Sequence, residues 1–124
     1  MGGYEKLDVV WYSVSDWQRA KDFYQNVLGF QPTFGADEMD WQQYRVAEGS
    51  PDLAIARAQA GQRVTSGGGA VAVLAVKDIE AARQHLVAKK VRCEEITTIP
   101  NIVKLCVFHD PDGNRLQLSQ SLMG

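Results

Sequence analysis

The spacing of hydrophobic residues changes period twice along this chain, in the same order each time. Residues 8–15 alternate, with Val10, Tyr12 and Val14 on one side and Val9, Trp11 and Ser13 on the other. A period of two is that of a strand. From residue 20 the apolar positions Ala20, Phe23, Tyr24, Val27 and Leu28 recur at helical spacing, with Arg19, Lys21, Asp22 and Gln25 outside. Asp16 stands where an N-cap is needed, because a short carboxylate can accept the first free helical N–H groups. Gly29 stops the helix, since glycine takes the left-handed cap without strain. Three strands are predicted next, at about 30–35, 39–47 and 52–59, separated by Pro32 and the turn Glu48-Gly49-Ser50-Pro51.

The pattern then restarts. Val71-Ala72-Val73-Leu74-Ala75-Val76 reads as a strand, and Asp78 caps a second helix with Ile79, Ala82 and Leu86 inward. Strands are predicted near 91–98 and 101–108. Asp110-Pro111-Asp112-Gly113 is a turn, and Arg115-Leu116-Gln117-Leu118-Ser119 alternates as a last strand. Asp78 lies 62 positions after Asp16, half of the 124-residue chain, and the same offset pairs Ala20 with Ala82 and Tyr24 with Leu86. The expected architecture is α+β: one domain, 1–124, of two tandem βαβββ modules, 8–59 and 70–121, joined by a linker at 60–69 and forming a cupped mixed sheet. Neither module can bury both faces of its sheet alone.

Composition narrows the picture by exclusion. The chain is 45% hydrophobic and 23% charged with a net charge of −2, and its only adjacent basic pair is Lys89-Lys90. Nothing here calls for nucleic acid or an anionic membrane surface. No apolar run approaches the ~20 residues that span a bilayer, and the first residues lack a signal segment, so a cytoplasmic location is expected. Cys93 and Cys106 have no metal or redox spacing and are expected to be buried free thiols in a reducing compartment. Gly67-Gly68-Gly69 is a linker rather than a phosphate loop, because no Lys-Ser/Thr and no helix follow it.

Two stretches carry a family resemblance. Val14-Ser15-Asp16, followed by Ala20-Lys21-Asp22-Phe23-Tyr24 and Val27-Leu28-Gly29-Phe30, is the first; Asp110-Pro111-Asp112-Gly113-Asn114 before the last strand is the second. With these, nearly the whole chain resembles the vicinal-oxygen-chelate superfamily of glyoxalase I, extradiol dioxygenases and fosfomycin- and bleomycin-resistance proteins. The resemblance implies a metal held by His or Gln on the first strand of each module and Glu on the last. It places those ligands at Val9, Val71 and Gln117, with a further position near Ile55, between Ala54 and Ala56. Valine has no lone pair to give, and Gln117 alone makes no site. No metal, no cofactor and no catalytic residue are therefore expected.

Alternation assigns the concave side to Val9, Trp11 and Ser13, to Val71, Val73 and Ala75, and to Arg115, Gln117 and Ser119, with Trp41, Gln43 and Arg45 preferred over Gln42, Tyr44 and Val46 on their strand. The expected ligand-binding residues are Trp11, Ser13, Trp41, Val9, Val71, Arg115 and Gln117, a set suited to an aromatic or planar organic molecule. Trp17 is expected to pack or to serve a dimer, His85 to lie away from any cup, and His109 to sit at a strand end in solvent. Of Glu94-Glu95 only one can face inward. A metal-free protein that sequesters a small organic ligand, as the bleomycin-resistance branch does, is the preferred reading, with a homodimer as its expected state. A glyoxalase- or dioxygenase-like enzyme with a non-standard metal site, a metal-independent isomerase or lyase, and an interaction domain without a ligand stay open as alternatives.

Overall fold

A computed structural model describes residues 3, 5, 7–58 and 71–123. The linker predicted at 60–69 lies outside the described residues. The chain divides into two compact units, Met1–Val64 and Thr65–Gly124.

The first unit runs β1 (Val9–Val14), α1 (Trp17–Asp22), β2 (Gln31–Ala36), β3 (Trp41–Arg45) and β4 (Asp52–Arg57). Its mixed sheet has the order β1-β4-β3-β2, with β1 parallel to β4 and the other pairs antiparallel. Asp16 caps α1 through its carboxylate, which accepts the Arg19 N–H at 3.1 Å. The helix does not continue regularly to Leu28 as its spacing predicts. Residues Phe23–Val27 widen into a π-helical turn, in which the Leu28 N–H reaches back to the Phe23 carbonyl at 2.9 Å. That wider turn, followed by Gly29 at φ +77°, lets Phe30 fold back beside Tyr24, with ring centroids 6.3 Å apart. Val14, Ala20, Phe23, Tyr24, Phe30, Tyr44, Leu53 and Ile55 are buried, and Tyr24 stacks on Tyr44 at 6.1 Å. Burial pushes the Tyr44 phenol up, and its O–H donates to Gln25 Oε1 at 3.0 Å. This is the core between the helix and one sheet face.

Trp17 is buried against this unit's own polar frame. Its Nε1–H and the Lys21 ammonium both donate to Asp37 Oδ1, at 2.8 and 2.9 Å, and the Arg57 guanidinium lies 5.2 Å from the indole centroid. Those donors hold the Asp37 carboxyl below the usual carboxylate range. A depressed folded value contributes stability that is present above the ordinary carboxylate pKa and is lost as pH falls through the folded value. Melting curves of wild type and Asp37→Asn between neutral and acid pH are expected to converge as pH drops. A constant gap would show that the Asp37 charge contributes nothing.

The second unit repeats the plan: β5 (Ala72–Ala75), α2 (Ile79–Ala88), β6 (Thr97–Ile99), β7 (Val103–His109) and β8 (Arg115–Ser121), in the order β5-β8-β7-β6. Asp78 caps α2 by accepting the Ala81 N–H at 3.1 Å, and Ile79, Leu86, Cys106, Phe108, Leu116 and Leu118 are buried. The strand predicted near 91–98 is mostly absent. Only a single bridge, Cys93 to Phe108, precedes the three-residue β6. The cause is local: the Glu94 carbonyl accepts Arg83 Nε–H at 2.9 Å and the Cys106 thiol at 3.3 Å, which takes it out of a regular ladder. Cys106 is buried and Cys93 only half-buried; both are free, and desolvation raises both thiol pKa values.

Candidate functional site

Sheet register decides which side chains share a face. In the first unit β1 pairs with β4 as Val9–Asp52, Trp11–Ala54 and Ser13–Ala56, and β3 pairs with β4 as Trp41–Ala56 and Gln43–Ala54. Val9, Trp11, Ser13, Trp41, Gln43, Asp52, Ala54 and Ala56 therefore stand on the face that α1 does not cover. The choice of Trp41, Gln43 and Arg45 over the alternate set agrees with this register. Ile55 does not belong here: it pairs with Tyr12 and Gln42 on the opposite face and is fully buried. Ala54 and Ala56 are the residues that β4 presents instead.

Those two alanines shape the surface. Small side chains on the central strand leave room for the indoles of Trp11 and Trp41 to lean together, with centroids 5.9 Å apart and planes at 57°. Ala54 is fully buried, while Trp11 remains 52% exposed. A half-exposed indole braced by a second ring is a rigid apolar platform. Beside it runs a polar chain: Trp41 Nε1–H donates to Gln43 Oε1 at 3.3 Å, Gln43 Nε2 donates to Asp52 Oδ2 at 3.0 Å, and Thr33 Oγ1 donates to the same oxygen at 3.4 Å.

Gly35 is needed for this geometry. It lies at φ +130° beside a register shift between Pro32 and Gly35, and a Cβ there would collide with the Trp41 carbonyl oxygen and crowd Gln42 Cα at 2.9 Å. Glycine lets β2 approach the start of β3 closely enough to fix Trp41. Gly35 and Asp52 escaped the sequence reading. A glycine inside a strand-like run is a signal for a bulge, whereas Asp52 needed the β1–β4 register, which single-strand alternation cannot supply.

In the second unit Val73 pairs with Gln117 and Ala75 with Ser119, and Arg115 lies opposite His109 across β7. Gln117, Arg115, Val73 and Ser119 thus share one face of their sheet. Val71 immediately precedes β5. Val73 is 53% exposed and Arg115 is exposed. Trp11, Ser13, Trp41 and Val9 are brought together in one unit, and Arg115 and Gln117 in the other.

His109 corrects the expectation of a solvent-edge residue. It is 8% exposed, and its Nε2 lies 2.9 Å from Glu94 Oε2. Its Nδ1 is buried without a hydrogen-bond partner among the described residues. The pair ties the irregular 92–95 segment to the end of β7, and its second nitrogen is closed to solvent. His85 is exposed on α2.

The donor set does not fit a metal. Val9 and Val71 carry no ligating atom, and among the described residues no group of three or more His, Cys, Asp or Glu is placed to hold one.

The family model of the Glyoxalase/Bleomycin resistance protein/Dioxygenase superfamily matches residues 6–118, and the chain belongs to that superfamily. No curated protein matches the chain. Among solved structures it is similar to a superfamily member from Sphaerobacter thermophilus DSM 20745, at 25% identity, TM-score 0.80, covering 95% of this chain and 98% of that one. It is similar in fold to TnmS3, an antibiotic binding protein from Streptomyces sp. CB03234, at 24% identity, TM-score 0.80, covering 98% and 99%. A lactoylglutathione lyase from Agrobacterium tumefaciens shares the fold at 14% identity, TM-score 0.72, covering 97% and 96%.

Proposed function

We propose that this chain is a metal-free binding protein that sequesters a planar or aromatic organic molecule. The observation that carries the reading is the half-exposed Trp11 braced by Trp41 on the face of the first sheet that α1 does not cover. Three further points support it. At the family's metal positions Val9 and Val71 cannot ligate, and Gln117 is left without companion ligands. The one buried histidine is committed to Glu94 rather than open to a substrate. The fold is one that serves antibiotic binding in TnmS3, an analogy of scaffold and not of site.

Titration with planar aromatic antibiotics and metabolites is expected to quench or shift tryptophan fluorescence and to raise Tm as the ligand binds only the folded state. A tightly held equivalent of zinc, nickel, manganese or iron, lost on Gln117→Ala, would overturn the proposal in favour of a metalloenzyme.

The same reading includes a homodimer in the cytoplasm. Among the described residues, the end strands of each four-stranded sheet, β1 and β2 in one unit and β5 and β6 in the other, have a partner on one side only. Free thiols at Cys93 and Cys106 suit a reducing compartment, and no helix among the described residues is long and apolar enough to cross a membrane. Light scattering at micromolar concentration is expected to give twice the chain mass of 13.7 kDa; a monomer alone would contradict it.

A further inference from the structure

We infer that the ligand face of the first unit selects aromatic molecules carrying a protonated amine, and that Asp52 is the residue that reads that amine. The inference rests on the binding reading above and assigns Asp52 a role beyond it.

The argument starts from where the carboxylate stands. Asp52 pairs with Val9, and Ala54, two residues along β4, pairs with Trp11. Asp52 therefore shares a face with both indoles; it lies one two-residue step, roughly 7 Å along the strand, from the position paired with Trp11, and two such steps from the position paired with Trp41. Gln43 Nε2 and Thr33 Oγ1 both donate to Oδ2, which fixes the carboxylate. Its Oδ1 accepts no hydrogen bond among the described residues, and Asp52 makes no ion pair among them. An ionised carboxylate accepts about four hydrogen bonds, so this one is oriented yet unsaturated. The cation on the same face, Arg45, turns toward β2 and donates to Gln31 Oε1 at 3.1 Å.

The consequence is a two-point site. A flat ring stacks on Trp11, and an ammonium tethered to that ring by a short chain reaches Oδ1. A charge-assisted contact of this kind is stronger than a neutral hydrogen bond. A neutral ligand gains only the stacking, and an anionic one meets a like charge.

The test uses three probes of one shape: naphthylpropylamine, the neutral naphthylpropanol and the anionic naphthylbutanoate, each measured on the full chain by calorimetry and equilibrium dialysis at neutral pH. Wild type is expected to bind the amine about threefold to tenfold tighter than the alcohol, a range set by a partly exposed charge pair, with the carboxylate weakest. Raising the salt concentration should narrow the difference. Asp52→Asn keeps an oxygen for Gln43 and Thr33, and in it the amine and alcohol are expected to bind within about twofold of each other. Glu80→Gln, which removes one negative charge from the Glu80–Lys104 pair of the second unit, should retain the preference. Equal affinities for amine and alcohol in wild type, both weakened by Trp11→Ala, would overturn the amine reading and leave the binding function standing. Loss of the preference in Glu80→Gln would also overturn it, by assigning the effect to overall charge. Failure of all three probes to bind, or binding indifferent to Trp11→Ala, would overturn the site itself and the inference with it.

Discussion

Trp11→Ala is expected to weaken binding of a planar aromatic ligand about tenfold to a hundredfold, because an aromatic anchor at the centre of a contact commonly carries about 1.5–3 kcal/mol and each 1.4 kcal/mol is a factor of ten. Its stability cost should be far smaller. Trp11 is 52% exposed, and its ring contact is with Trp41 alone among the aromatic pairs of the described residues. Losing that contact costs about 0.5–1.5 kcal/mol beyond area burial. The core ring Tyr44 behaves differently: it is fully buried beneath Tyr24, and its truncation to alanine should cost about 3–5 kcal/mol. The two substitutions therefore separate a binding residue from a packing residue. Trp11→Phe keeps a flat ring and should fall between wild type and Trp11→Ala. Calorimetry with a naphthyl probe, alongside thermal melts, reads both quantities. Unchanged affinity in Trp11→Ala would place the ligand elsewhere.

How far the site was legible in the sequence follows from what each element depends on. Asp16 and Asp78 signal their helices because a cap is set by residues one turn away, and both caps form as expected. Alternation on β1 identifies the face of Trp11 because the period of a strand is built into its backbone. What lies between strands is not local. The choice between Ile55 and its alanine neighbours depends on the β1–β4 pairing, and a slip of one residue exchanges the faces. The same slip hid Asp52, which gains its meaning from Gln43 and Thr33 on two other strands. His109 looked solvent-facing because its partner, Glu94, lies fifteen residues earlier in a segment whose regular pairing is broken by Arg83 and Cys106. The π-helical turn at Phe23–Val27 was also hidden, since its apolar spacing matches an ordinary helix until Phe30 is seen packed beside Tyr24.

The motif Asp110-Pro111-Asp112-Gly113-Asn114 marks the family in the sequence, and its structure shows a folding device. Asp110 and Asn114 are each 4% exposed. Asp110 Oδ1 accepts the backbone N–H of Asp112 at 2.9 Å and of Asn114 at 2.8 Å, while Oδ2 accepts Asn114 Nδ2 at 2.9 Å. The Gly113 N–H donates to the Asp110 carbonyl at 2.9 Å, with Gly113 at φ +86°. One carboxylate thus fixes the tight turn that aligns β7 with β8 and sets the register placing Gln117 opposite Val107. Asp110→Ala would take this acceptor from the buried Asn114 donors and the part-buried Asp112 N–H, and a buried donor that loses its acceptor is destabilising through its desolvation. The expected loss is about 3 kcal/mol or more, read as a lower urea midpoint at constant slope. Asp110→Asn retains one acceptor oxygen but turns an amide toward Asn114 Nδ2 or the backbone donors, and should lose about half as much. A loss below about 1 kcal/mol in Asp110→Ala would show that the turn is held by its backbone alone. The motif would then mark a glycine-dependent turn and not a carboxylate-centred one.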